Sequence, residues 1–443
     1  MATHHEIGKE KLNVITNLRL KLVALSISSL LIIFSAHAES EFLNLNDLIN
    51  EALSQNPKLK EMSAETKAAA NIPSRVGSLP DPMLQLTAQN FRTDDFKYDS
   101  SPMSAVGIGL IQEIPFPGKL SRKNQVASDH AKTLSEKERL MKALVIFQVT
   151  QAYWNLHFAE RSLSITEENI KVVDVLADVA INRLKVAKVA QQDVFQAQVA
   201  DSKLRSKLAK RKEMFENAKR NLNNIIGKDS ESKIDKTISP PLREVNFVKS
   251  DIFEEMNKFS PYIKVTNLKV AKNISALSEA KYDRFPNLKL GINYNVRGMV
   301  PGDKTNGADM VSVFVGISLP LWMGSKQNAR VSESINNLAA AKAQEIDVIL
   351  EISSRVNILL EKIASLNTQI KLYKKEVLPR ADKALDASIS DYKSAKVGFV
   401  SVVQNWQAEL DLQISYEELL KERAIVFSEI ELVTGLSLRR LKL

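Results

Sequence analysis

Few residues of this sequence could do covalent or metal chemistry, and their spacing does not favour it. The chain has five histidines and no cysteine. His4, His5 and His37 lie in an N-terminal stretch that reads as removable, which leaves His130 and His157. On one helix those two stand about 40 Å apart, too far to share a metal ion. No phosphate-binding glycine loop, nucleophile elbow or His-Glu-x-x-His pattern is present. Met83, Met103, Met299, Met310 and Met323 could offer soft sulfur to copper or silver. They fall beside strand patterns and read first as packing. The sequence therefore supports no catalytic, cofactor-binding or metal site, and the chain reads as a non-enzyme.

The informative residues are structural ones at a junction. Over Val106, Ile108 and Leu110 against Gly107, Gly109 and Ile111 the pattern alternates as a strand does. It then stops at Pro115-Phe116-Pro117-Gly118-Lys119 and gives way to a helical period. Proline cannot donate to a sheet ladder yet fits the first turn of a helix, where that donor is unused. A second junction of this kind lies at Pro320-Leu321-Trp322-Met323-Gly324.

Composition and charge narrow the class. With 14 glycines in 443 residues, the chain favours long helices over a loop-rich globule. The formal net charge of +9 is spread along those helices, which reads as solvated faces and not as a nucleic-acid footprint. Residues 1–38 read as a signal peptide: Arg19 and Lys21, an apolar run from Leu22 to Phe34, then Ala36-His37-Ala38. Beyond it no run is long and apolar enough to cross a membrane as a helix, so any insertion must use strands.

The remaining sequence reads as written twice. Asp47 aligns with Asp251, Pro57 with Pro261 and Pro82 with Pro286, all 204 residues apart. Later, Ala187-Lys188-Val189 aligns with Ala395-Lys396-Val397, and Gly227 with Gly435, at 208. Matches that keep order and spacing over this length mark two repeats. The expected domains are 39–227 and 246–443, joined by a linker over 228–245. Strands are expected at about 82–91 and 103–114 and again at about 286–297 and 310–320. Long helices are expected at about 118–186, 191–226, 324–392 and 398–434.

Each strand shows one apolar and one polar face, the pattern of outer-membrane barrel strands. Four strands cannot close a barrel, and an open edge in lipid leaves backbone groups unsatisfied at several kcal/mol each. Copies must then share one barrel. In the helices, Leu156, Leu163, Ile170, Ala177 and Leu184 recur every seven residues, with Ala159, Val173, Ala180 and Ala187 three places on. A second line runs unbroken from Ile352 through Val356, Leu359, Ile363, Leu366, Ile370 and Tyr373 to Val377. Both read as coiled-coil seams, with a bend expected at Pro379. Phe91, Tyr294 and Trp322, near strand ends, read as membrane-interface anchors.

The duplication, the hairpins, the Ile114–Leu120 junction and the helical turns Arg183–Val189 and Tyr392–Gly398 together resemble the TolC-like outer-membrane efflux proteins, with features similar to the heavy-metal branch. That resemblance implies a mixed α and β membrane protein: a homotrimer with a twelve-stranded outer-membrane barrel continuous with a twelve-helix periplasmic α-barrel. It implies a periplasmic adaptor (membrane fusion protein), an inner-membrane pump of the RND type and outer-membrane lipid as partners, and passive export of small toxic solutes, metal ions or drugs. It places adaptor contacts at Ala187, Lys188, Val189, Lys396, Val397 and Gly398. It places a periplasmic gate at Asp193, Tyr392, Ser401 and Gln404, where Asp193 and Tyr392 form a latch. Val397 stands where the family carries a latching arginine, and Ser401 and Gln404 where it can carry acids, so a weaker and less charge-selective gate is expected. The strand-to-helix junctions are Pro115, Pro117, Gly118, Pro320 and Gly324. The same architecture also serves type I protein secretion. A pore-less periplasmic adaptor is the other alternative, against which stand two helical hairpins and four amphipathic strands.

Overall fold

The computed structural model describes residues 43–186, 190–239 and 248–435. The signal stretch, Ala187, Lys188, Val189 and much of the expected linker lie outside the described residues. The described chain divides into two units. One comprises Leu43, Asn44 and residues 233–238; within it the Leu43 N–H donates to the Lys236 carbonyl at 2.8 Å. The second holds the rest and is the subject below.

It begins with three short helices, α1 (Leu45–Gln55), α2 (Pro57–Ala70) and α3 (Ile72–Gly77), followed by strands β1 (Met83–Gln89) and β2 (Ala105–Ile114). Helix α4 (Lys119–Lys185) and helix α5 (Gln191–Ile226) follow. Then come α6 (Lys249–Phe259), α7 (Pro261–Tyr282), β3 (Leu288–Arg297) and β4 (Met310–Ile317). Helices α8 (Ala329–Leu372), α9 (Leu378–Lys393) and α10 (Phe399–Thr434) end the described chain. The 67 residues of α4 contain neither glycine nor proline, so nothing interrupts its hydrogen bonds over roughly 100 Å.

Pro379 does not end a helix. Instead, wide π turns precede α8 at Met323–Asn328 and join α8 to α9 at Tyr373–Val377. The second π turn lies just before Pro379, where the ring removes a donor and crowds the preceding turn. The buried line of α8 runs from Ile352 to Ile370. Tyr373 and Val377, expected to continue it, are only half-buried because they belong to the π turn.

The seam of α4 is in part the expected one: Leu156, Ala159, Val173 and Ala180 are buried, whereas Leu163, Ile170, Ala177 and Leu184 are half-buried and Ala187 lies outside the described residues. The buried line passes through Val145, Val149, Ala152, Leu156, Ala159, Ser162, Thr166, Asn169, Val173, Leu176 and Ala180. Three polar residues in its middle, Ser162, Thr166 and Asn169, interrupt the hydrophobic pattern. Two of them are satisfied locally: the Thr166 hydroxyl donates to the Ser162 carbonyl at 2.7 Å and the Asn169 amide to the Ile165 carbonyl at 2.8 Å. Across the seam, Trp406 Nε1 of α10 donates to Asn169 Oδ1 at 2.8 Å in a fully buried bond.

Among the described residues, two apolar clusters hold helices together. One gathers α4, α5, α9 and α10 around Val173, Leu204, Tyr392, Phe399, Val402 and Trp406. The other gathers α6, α7, α8 and α10 around Met256, Ile263, Val356, Leu359 and Ile430. Gly435 closes α10 with φ of 72°. A Cβ there would lie 2.1 Å from the Phe259 carbonyl oxygen, so only glycine lets α6 reach this helix end.

The four strands form one antiparallel sheet in the order β1-β2-β3-β4. The central pairing sets Ala105 opposite Arg297 and Ile114 opposite Leu288, joining the strand pairs from the two parts of the sequence.

Replacing Trp406 by Phe leaves the Asn169 oxygen buried without a donor, at a cost of about 1–3 kcal/mol. Trp406→Phe should unfold faster on heating than the parent, followed by loss of helical circular dichroism. Adding Asn169→Leu should recover much of the loss.

Candidate functional site

The sheet has its apolar side chains on the open face. Leu86, Val311 and Val313 are 76%, 62% and 72% exposed. Leu84, Ile108, Leu110, Ile292 and Tyr294 share that face through the register and are exposed as well. The opposite face is polar and internally bonded. Asn293 donates to Asn295 Oδ1 at 2.8 Å and to Thr87 Oγ1 at 3.4 Å, and Asn295 donates to Ser312 Oγ at 3.3 Å. These side chains cross over β2, where Gly107 leaves room. A Cβ on Gly107 would fall 2.4 Å from Asn295 Oδ1. A sheet with apolar residues outward and a hydrogen-bonded polar lining inward is built to separate hydrocarbon from water.

Below the sheet, the Pro115–Lys119 junction is organised by a buried lysine. Lys119 Nζ donates to the Phe285 carbonyl at 2.6 Å and to Asn287 Oδ1 at 2.8 Å. Asn287 in turn donates its amide to Glu113 Oε1 at 3.0 Å, and its backbone N–H donates to Ser318 Oγ at 2.7 Å. One asparagine thus ties the ends of β2 and β4 to the start of α4. Desolvation, and secondarily Lys123, hold the Lys119 pKa below its ordinary value. Phe116 stacks on Phe285 at 4.5 Å. Gly118 turns the chain with φ of 92° against the Tyr282 ring. At the second junction Gly324 lies in open space within the first π turn, and Leu319, Leu321 and Trp322, which flank Pro320, are exposed.

Residues 48–228 match the family model described as outer membrane efflux protein. No curated protein matches the sequence. Among solved structures, CusC is similar with a TM-score of 0.75 at 16% identity, covering 91% of this chain and 96% of that one. VceC of Vibrio cholerae is similar at 0.74 and 15%, with 88% and 96% covered. The open-state MtrE channel of Neisseria gonorrhoeae is similar at 0.72 and 16%, with 88% of each covered. The mostly helical fold with a small antiparallel sheet is therefore the TolC-like channel fold.

At the helix ends far from the sheet, the chain brings Asp193 and Tyr392 together. The buried Tyr392 hydroxyl donates to Asp193 Oδ2 at 3.1 Å. Burial first, then the Asp193 charge and that bond, push the tyrosine pKa up to about 12. The Phe399 ring meets Tyr392 edge-on at 5.3 Å. Ser401 is half-buried, its N–H donating to the Gly398 carbonyl at 3.2 Å, and Gln404 is exposed. In the turn, Ala395 has φ of 60°, the Lys396 N–H donates to the Asp391 carbonyl at 2.9 Å, and Lys396 Nζ lies 3.6 Å from Asp391. Val397 packs against the tip core and Gly398 caps α10. Sequence reasoning quoted Arg183 within its turn motif without giving it a role. Its guanidinium lies over the Tyr392 ring, 4.6 Å from the centre.

No group of His, Asp or Glu among the described residues is arranged to hold a metal ion. His157 is buried beside Trp154, and His130 stands apart near Lys272. Of the methionines, Met83 and Met310 sit in edge strands, whereas Met103 and Met299 are exposed in the loops between strands.

Tyrosine ordinarily ionises near 10. The Tyr392–Asp193 bond should therefore contribute fully below about pH 10 and be lost as pH rises through the raised value of about 12. Phenolate absorbance of the parent minus that of Tyr392→Phe should show one tyrosine ionising near the raised value.

Proposed function

We propose that this chain is one third of a homotrimeric exit duct, with a twelve-stranded barrel in the outer membrane of a Gram-negative bacterium and a twelve-helix tunnel in the periplasm. The observation that carries this reading is the sheet. Its exposed face is apolar, its lined face is polar, and β1 and β4 each end the sheet with an unpaired edge. Such edges cannot face lipid, so neighbouring copies complete the ladder. Two repeats of one plan would give each copy an equivalent share of strands and helices.

The duct is passive. Small toxic solutes, metal ions or drugs, are moved by an inner-membrane pump of the RND type, and the protein supplies a sealed path. CusC, in which conformational changes accompany folding and transmembrane channel formation, supports that plan. The helix turns 186–190 and 393–398 are the surfaces for a periplasmic adaptor. The residues proposed for that contact are Ala187, Lys188, Val189, Lys396, Val397 and Gly398, whose lysines could pair with adaptor carboxylates. Asp193 and Tyr392 latch the periplasmic mouth, and Ser401 and Gln404 line it without adding charge.

Adjacent residues of β4 test the membrane reading. Val313 lies on the apolar face and Ser312 on the polar one. A buried cation on the lipid face of a barrel costs about 2–4 kcal/mol. Val313→Arg should abolish recovery of heat-stable trimer from the outer membrane, whereas Ser312→Arg should be recovered. Equal recovery of both would refute a lipid-facing sheet. For the gate, Asp193→Ala and Tyr392→Phe should each raise the single-channel conductance of the purified trimer.

A further inference from the structure

The helix tips hold a charged group that the proposed latch does not use. Arg183 stands near the end of α4, and its guanidinium carbon lies 4.6 Å from the centre of the Tyr392 ring in α9. Its Nε and Nη1 are buried and have no hydrogen-bond acceptor. A guanidinium deprived of hydrogen bonds is held by whatever negative potential it faces, and the face of an aromatic ring supplies one. The same tyrosine donates its hydroxyl to Asp193 of α5 and receives the edge of Phe399 of α10. Three helices therefore converge on the α9 ring, each through a different part of it.

We infer that Arg183 is a positioning residue of the gate, clamping α4 onto the ring face of Tyr392 while Asp193 holds the hydroxyl. This rests on the proposed latch and extends it. The cation that the resemblance places in the second repeat, where this chain has Val397, is supplied here from the first. The two contacts reinforce each other. Donation to a carboxylate enriches the ring in electron density, and a more electron-rich face holds the guanidinium more strongly. Arg183 also opposes the rise in the Tyr392 pKa, so its charge is felt at the hydroxyl. The clamp further fixes which way Tyr392 points. With α4 fastened over one face and α10 packed on the edge, the hydroxyl is aimed at α5.

The ring and the hydroxyl can be separated by mutation, and this separates the clamp from a general structural role. Single-channel recordings on the purified full-chain trimer are the readout. Arg183→Gln should raise open probability about threefold to tenfold, the range expected of a partly desolvated cation–π contact. Arg183→Lys, which keeps a cation over the ring, should restore most of the closure. The effect of Arg183→Gln should persist in a Tyr392→Phe background, where the ring remains, and vanish in Tyr392→Leu, where it does not. An equal effect in both backgrounds would overturn the clamp, as would no effect of Arg183→Gln when Tyr392→Phe and Asp193→Ala do open the channel. If none of the three single substitutions changes conductance, the latch itself fails. Should Arg183→Gln not yield trimer, Arg183→Met, which fills similar space without charge, takes its place under the same expectations.

Discussion

The constraint on which the rest depends is that backbone donors and acceptors must be satisfied wherever water is absent. A four-stranded sheet with an apolar outer face meets that demand along its three internal ladders and fails it at both edges. The proposed completion of the sheet by copies of the chain sets the demands on everything else. The strands must leave the sheet at a fixed angle, the helices must continue away from it without a globular core, and each turn must repeat in register with its neighbours. This is why the junction is stiff. Lys119, Asn287, Glu113 and Ser318 bond to one another across three elements. A buried cation is tolerated there because a carbonyl and an amide oxygen receive it.

The polar lining obeys the same logic at smaller scale. Asn293 and Asn295 would be costly on a lipid face, yet on the inner face they bond to Thr87, Ser312 and each other. Their side chains lie across β2 because Gly107 and Gly109 offer no Cβ. Glycine in a strand interior normally weakens it. Here the missing Cβ atoms make room for the asparagine side chains that cross β2.

Much of this could be read from sequence, and what was hidden has identifiable causes. The alternation in the strands is stated by side-chain type alone, since lipid-facing positions must all be apolar. The unbroken length of α4 follows from the absence of glycine and proline over 67 residues. The α4 seam was read only in part, at Leu156, Ala159, Val173 and Ala180, because polar Ser162, Thr166 and Asn169 occupy its centre, where the hydrogen bonds of Thr166 and Asn169 let them fit a buried line. The α8 seam was followed too far because its four-and-three spacing runs on through Tyr373 and Val377, whereas the chain widens there into a π turn. Arg183 carried no sequence signal. An arginine in the last turn of a long helix ordinarily faces solvent and favours the helix dipole, and only the meeting of α4 with α9 reveals its ring contact.

Long coiled coils carry their specificity in such sparse polar contacts. Apolar seams alone allow helices to slide and rotate with little change in buried area, since one aliphatic layer resembles the next. Trp406 with Asn169, and Tyr392 with Asp193 and Arg183, are directional and therefore tolerate one register only. They differ in what surrounds them. The Trp406–Asn169 bond is fully buried within the seam, so breaking it strands an acceptor. The Tyr392 cluster lies at the helix ends, where movement can deliver each of its groups to water. A contact of the first kind fixes the register and one of the second kind leaves the helix ends freer to move, which is what the proposed duct and gate require of the same helices.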